Sequence, residues 1–153
     1  MAATTEIGKK NDPLLSNIFD IELKNGVKGS FTEAAGLGVE VSVQKSTQTL
    51  KDGKLVSLNR PGTADYQDIT LKRTFTADKS FWKWIKDIAD GKIRDNRTEG
   101  AIVMYDSEGK RVGSWSFLEA WPSKWSVSDL DAGSDDLMIE TVTLTIEMLK
   151  RDL

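Results

Sequence analysis

A chain of 153 residues with no cysteine and no histidine cannot form a disulfide, a thiolate zinc site, or a Ser-His-Asp or Cys-His nucleophile arrangement. The same absences remove the commonest general acid–base group and the commonest metal ligand, so no catalysis, cofactor or metal is expected. With 39% hydrophobic and 29% charged residues and a net charge of -3, the composition is that of one ordinary globular domain without a basic footprint for nucleic acid.

Residues 1–13, MAATTEIGKKNDP, are small, polar and charged, and lack the apolar stretch of a signal peptide. They are expected to form a flexible N-terminal arm, with residues 14–153 as a single domain. No apolar run approaches the length that spans a membrane, so no membrane anchor is expected. Ile18 to Leu23 is the first strand, Asn25-Gly26 a hairpin turn, and Val27 to Ala35 the returning strand, with Phe31 as its core anchor. Val39, Val41 and Val43 alternate with Glu40, Ser42 and Gln44, which predicts a half-buried strand. Ile69, Leu71, Arg73 and Phe75 repeat the pattern against Asp68, Thr70, Lys72 and Thr74. Between these strands lie mostly polar residues, with Asp52-Gly53 and Pro61-Gly62 as turns. Residues 45–62 are therefore predicted to be an extended arm that leaves the domain body, and an arm with no core of its own needs a partner surface.

A helix over 78–91 follows, with Asp78 as N-cap and Gly91 as the left-handed closing residue. Phe81, Ile85 and Ile88 form its apolar stripe, with Trp82 and Ala89 beside it. Trp84 falls off that stripe and is expected at a subunit contact. Ala101 to Tyr105, Val112 to Trp121 and a short segment at Trp125 and Val127 are strands, with Asp106 to Gly109 as a turn. Pro122 ends its strand or places it at an edge. In the last strand Val142, Leu144, Ile146 and Met148 alternate with Thr141, Thr143, Thr145 and Glu147. The fold class is mainly β with a minor helical part. About eight antiparallel strands form a sandwich or barrel with one packed α-helix and a long extended hairpin arm.

Several patterns that could carry chemistry fail on detail. The carboxylates from Asp129 to Glu140 are spaced like a calcium loop, but Ser134 stands where the sharp turn needs glycine and strands flank the loop. Gly36-Leu37-Gly38 lacks the third glycine and the following helix of a dinucleotide site. Arg94 and Arg97 beside Asp95 and Glu99 read as a surface ion-pair patch.

One ordered set of segments carries a resemblance. Asp12-Pro13, Phe19-Asp20-Ile21, GSFTEAAGLGVEV at 29–41, Arg60-Pro61-Gly62, ITLKRTFTAD at 69–78, FWKWI at 81–85, WSFLEAWPSKW at 115–125 and Glu140 resemble the inner tube proteins of contractile phage tails and of phage-like extracellular contractile injection systems. The resemblance covers nearly the whole chain after residue 11. Relatives often have glycine where Thr74 stands, and a Gly-Leu where this chain has Met148-Leu149.

The resemblance implies a structural, non-enzymatic subunit. Its hexameric rings would stack into a hollow tube, which sheath contraction drives through a target envelope. Implied partners are further copies of the chain, a sheath protein, baseplate and tube-terminating proteins, and a lumen cargo of protein or phage DNA without sequence-specific recognition. Assembly would occur in the bacterial cytoplasm, followed by residence in an extracellular particle or virion tail. Contacts between rings are then expected at Thr47, Thr49, Leu50, Leu55 and Leu58 of the arm and at Ile7 and Leu14. The lumen wall is expected at Glu40, Ser42, Gln44, Thr70 and Lys72. Two other functions fit a barrel of this size: a carrier of small apolar ligands, and a secreted ring-shaped carrier of the type VI secretion kind.

Overall fold

The computed structural model describes residues 18–133 and 137–153; Ile7, Leu14 and Ser134 lie outside the described residues. The strands are β1 (Ile18–Leu23), β2 (Lys28–Phe31), β3 (Glu33–Ala35), β4 (Val39–Thr49), β5 (Leu55–Tyr66), β6 (Ile69–Thr74), β7 (Thr98–Tyr105), β8 (Arg111–Val127), β9 (Ile139–Thr145) and β10 (Met148–Arg151). Two helices, α1 (Ser80–Ala89) and α2 (Ile93–Asn96), lie between β6 and β7. The mainly β, antiparallel expectation holds. The short α2 was not foreseen, and α1 is shorter than the predicted 78–91.

Eight strands form one antiparallel sheet in the order β2-β1-β7-β8-β9-β6-β3, with β10 paired to β8. Only Thr32 separates β2 from β3, yet β2 pairs with β1 at one end of that order and β3 with β6 at the other. The sheet therefore closes on itself, and the Thr32 N–H donates to the Lys72 carbonyl at 3.0 Å across the seam. Closure leaves fewer open edges than a flat sheet would have, and β10, which pairs only with β8 among the described residues, keeps one.

The other corner is β8. Its first half pairs with β7 and β10, its second half with β9. Three register shifts bend it: one opposite Met104–Tyr105, one opposite Thr98–Gly100, where Glu119 has φ 53°, and one between Pro122 and Lys124; the last two set the burial pattern of its second half. Each bulge inserts a residue and moves the inward side chains to the other parity. Phe117 is buried before the bulge at Glu119, Ala120 and Pro122 after it. Pro122 thus neither ends a strand nor marks an edge. It is fully buried within a continuous strand, at an irregularity where its missing N–H is tolerated.

Ile69, Leu71, Ile102, Val142 and Leu144 are fully buried and fill the barrel with Phe31 and Phe117. The period-2 pattern also places Arg73 on the apolar side of β6 and Glu140 on that of β9, and both charges are buried. The alternation of the last strand stops at Ile146. The Glu147 N–H donates to Leu118, and Met148 beyond the break is 48% exposed.

Candidate assembly surfaces

The remaining sheet has two strands, β4 and β5, each paired only with the other. The predicted arm is thus a β-hairpin spanning 39–66, longer than 45–62. It continues an existing ladder. In the barrel wall Ala35 faces Thr70, and four residues on along each strand Val39 faces Tyr66, so the register is unbroken. Gly36 sits at the exit with φ 85°, and a Cβ there would lie 1.9 Å from the Asp68 carbonyl oxygen, which only glycine avoids. Pro61-Gly62, expected as a turn, instead lies inside β5 at a bulge opposite Val41–Val43. Ser42 Oγ accepts the Thr63 N–H there at 3.0 Å. The actual turn is at Asp52-Gly53, where Asp52 accepts the Lys54 N–H and Gly53 has φ 83°.

Among the described residues the hairpin has no cover. Val39, Val41 and Val43, expected to be half-buried, are 55%, 47% and 61% exposed. Their cross-strand partners are Tyr66, Ala64 and Pro61, so one face of the hairpin's base is an apolar stripe facing away from any core of this subunit. Glu40 pairs with Asp65 and Gln44 with Arg60 on the opposite, polar face. Leu50 and Leu55 are exposed near the tip, Thr47 and Thr49 are exposed along β4, and Leu58 is half-buried. Thr70 and Lys72 lie in the barrel wall, opposite Ala35 and Glu33. Of the residues expected to line a lumen, Glu40, Ser42 and Gln44 are on the hairpin and Thr70 and Lys72 are in the barrel wall.

Beneath α1 lies a buried charge cluster that ties the helix to four strands. Arg73 Nε donates to Glu140 at 2.8 Å, and Glu140 also accepts the Trp125 indole N–H at 2.8 Å. The Arg73 guanidinium lies 5.3 Å from the Phe31 ring centroid and 5.1 Å from that of Phe81. Its Nη1 is 3.4 Å from Asp78, and its Nη2 has no hydrogen-bond partner among the described residues. Asp78 stands one residue before the capping position, which Lys79 occupies, and accepts the Ser80 N–H at 3.0 Å. That backbone bond foremost, and the Arg73 charge in addition, hold the Asp78 carboxyl below the usual range against the opposing effect of burial. A depressed carboxyl stabilises the fold above the unfolded-state value of about 3.9 and loses that contribution as pH falls through the folded value. Asp78→Asn is therefore expected to lower stability at neutral pH and to flatten its decline below about pH 4. Chemical denaturation across that range reads both effects.

Trp84, expected at a subunit contact, is 2% exposed and donates its indole N–H to the Asn96 carbonyl at 2.7 Å. The buried stripe includes 84 as the i+3 position from Phe81, so Trp84 is core and has no surface for a neighbour. The exposed tryptophan is Trp82, at 46%, with its ring centroid 5.0 Å from that of Trp125. Trp84→Ala should cost about 3–5 kcal/mol and Trp82→Ala about 1 kcal/mol in denaturant unfolding. The expected Arg94–Glu99 patch is also rearranged. Arg97 pairs with Glu119 and Glu147, and Glu99 with Lys24 at 2.7 Å. Glu140, the last carboxylate of the calcium-like spacing, is committed to Arg73 and Trp125, and no metal-holding cluster occurs among the described residues.

The family described as the T4-like virus tail tube protein gp19 matches residues 15–150. A chain of the PVC sheath-tube complex, from an extracellular contractile injection system in its extended state, has 19% identity over 99% of both chains with a TM-score of 0.74. A chain of the anti-feeding prophage cap, the tube-terminating cap, has 21% identity over 99% of both chains with a TM-score of 0.70. Hcp1 from Flavobacterium johnsoniae is more distant, with 15% identity over 88% of this chain and 94% of that one and a TM-score of 0.52. No curated protein sequence matches the chain.

Proposed function

The chain belongs to the T4-like virus tail tube protein family, and on that premise we propose that its copies close into hexameric rings that stack into a hollow tube inside a contractile sheath. The observation that carries this is the hairpin over 39–66. It leaves the barrel as a separate two-stranded ladder and exposes an apolar stripe with no partner among the described residues. Around a closed ring each subunit presents two different faces to its neighbours, because the interface is head-to-tail. An arm that leaves one barrel and seats its valine face on another copy supplies such an interface. Thr47, Thr49, Leu50, Leu55 and Leu58 then contact the adjacent ring and stop rings from sliding, with Ile7 and Leu14 as further anchors.

The polar face with Glu40 and Gln44 is left for the lumen, since the valine face is taken by protein. Ser42 shares that face while its hydroxyl holds the bulge. The tube is mechanical and does no chemistry. The sheath drives it, with its cargo, through a target envelope. Sheath, baseplate and tube-terminating proteins are its partners. It is assembled in the bacterial cytoplasm and acts in an extracellular particle or phage tail. The barrel interior is filled by side chains such as Ile69, Leu71 and Leu144, each 0% exposed, which favours a structural subunit over a ligand carrier. Gln44→Cys tests the lumen assignment: labelling in long tubes should be far slower than in free subunits, and equal rates would refute it.

A further inference from the structure

A second exposed apolar surface lies where the start of α1 meets β8. Phe75, Trp82 and Trp125 line a cleft of about 440 Å³ together with the exposed Ala77 and Lys79. Phe75 and Trp82 are 41% and 46% exposed. Lys86 lies four residues after Trp82 on the outer face of the helix. Neither Lys79 nor Lys86 is in an ion pair among the described residues. Asp78, the one carboxylate in the lining, is turned to Arg73 and the Ser80 N–H. The cleft is thus aromatic within and cationic at its edge, and suits a large aliphatic side chain flanked by carboxylates.

The same chain presents that chemistry. In the β8–β9 loop, Leu130 stands between Asp129 and Asp131 and is 77% exposed, more than any other large apolar side chain among the described residues. The described residues of its own subunit do not cover it. Asp131 accepts the Gly133 N–H at 3.0 Å, which holds the loop in a turn. We propose that Leu130 of one subunit inserts into the Phe75–Trp82–Trp125 cleft of a second copy, with Asp129 and Asp131 against Lys79 and Lys86. The contact joins two different patches, as a ring requires, and places an aliphatic anchor in an aromatic pocket with opposite charges at its rim. It presupposes the assembly proposed above and adds an interface that does not involve the hairpin.

The absence of cysteine makes the test clean. An affinity-tagged Leu130→Cys subunit is mixed with an untagged Ala77→Cys subunit, assembled, imaged and oxidised. The expected result is a mixed disulfide that captures the untagged chain at least tenfold more than a Lys110→Cys partner does. Tubes that form without the mixed disulfide overturn this contact and leave the tube assignment standing. Absence of both tubes and cross-link overturns both. A Leu130→Cys/Ala77→Cys chain that closes on itself as a monomer shows the loop filling its own cleft, which also overturns the contact between copies. Charge reversal gives a second readout. Lys79→Asp and Asp129→Lys should each raise the concentration needed for assembly several-fold, and mixing the two variants should restore it. No restoration would contradict the ionic pairing.

Discussion

Arg73→Met should destabilise the subunit by about 3–5 kcal/mol, because it strands a buried carboxylate. Glu140 is 1% exposed, and without Arg73 its only remaining partner is the Trp125 indole N–H. The guanidinium also fills the space between Phe31 and Phe81, so methionine recovers part of the packing and none of the charge pairing. At about 2–4 °C per kcal/mol for a chain of this size, the midpoint should fall by roughly 10 °C. Adding Glu140→Leu should return much of the loss, since replacing both members of a buried pair is far less costly than removing one. If Arg73→Met alone is as stable as the parent, the cluster does not hold α1 to the barrel. The unpartnered Nη2 of Arg73 is consistent with a pair kept for geometry more than for net stability.

The second large effect concerns assembly. Deleting Thr47 to Leu58 and rejoining Ser46 to Asn59 by a short turn should leave a folded, soluble subunit that builds no tubes. The body should survive because β4 and β5 pair only with each other and the deleted residues are exposed except for Val56 and Leu58. The thermal midpoint is expected to change little, while assembly is lost. Tubes of normal length from the deletion would show that the hairpin is dispensable.

Much of this fold was legible in sequence. Asn25-Gly26, Asp52-Gly53 and Asp106 to Gly109 punctuate the chain where the turns are, because glycine supplies the positive φ that each turn requires. Alternation found the inward face of β6, including Arg73, and that of β9 at Val142 and Leu144, while the burial of Glu140 was not read from it. β8 follows no single alternation, because three register shifts interrupt it and no local signal except Pro122 marks them. Trp84 was misplaced because a tryptophan at i+3 can sit in the apolar stripe or beside it, and the partner that settles the matter, the Asn96 carbonyl, lies twelve residues away. Val39, Val41 and Val43 show the deeper limit. Alternation states that one face must be covered, not whether the cover comes from the same chain. In this subunit it does not, and the mismatch between pattern and burial is the strongest mark of assembly in the sequence. The aromatic cleft was equally hidden, since Phe75, Trp82 and Trp125 come from three separate elements.

The most direct measurement is electron cryomicroscopy of the purified chain, concentrated until it assembles. The predicted result is six-fold rings with an open centre, stacked into tubes, in which residues 39–66 of each subunit are buried against other copies. A chain that stays monomeric at every concentration, or tubes whose hairpins project free into solvent, would contradict it.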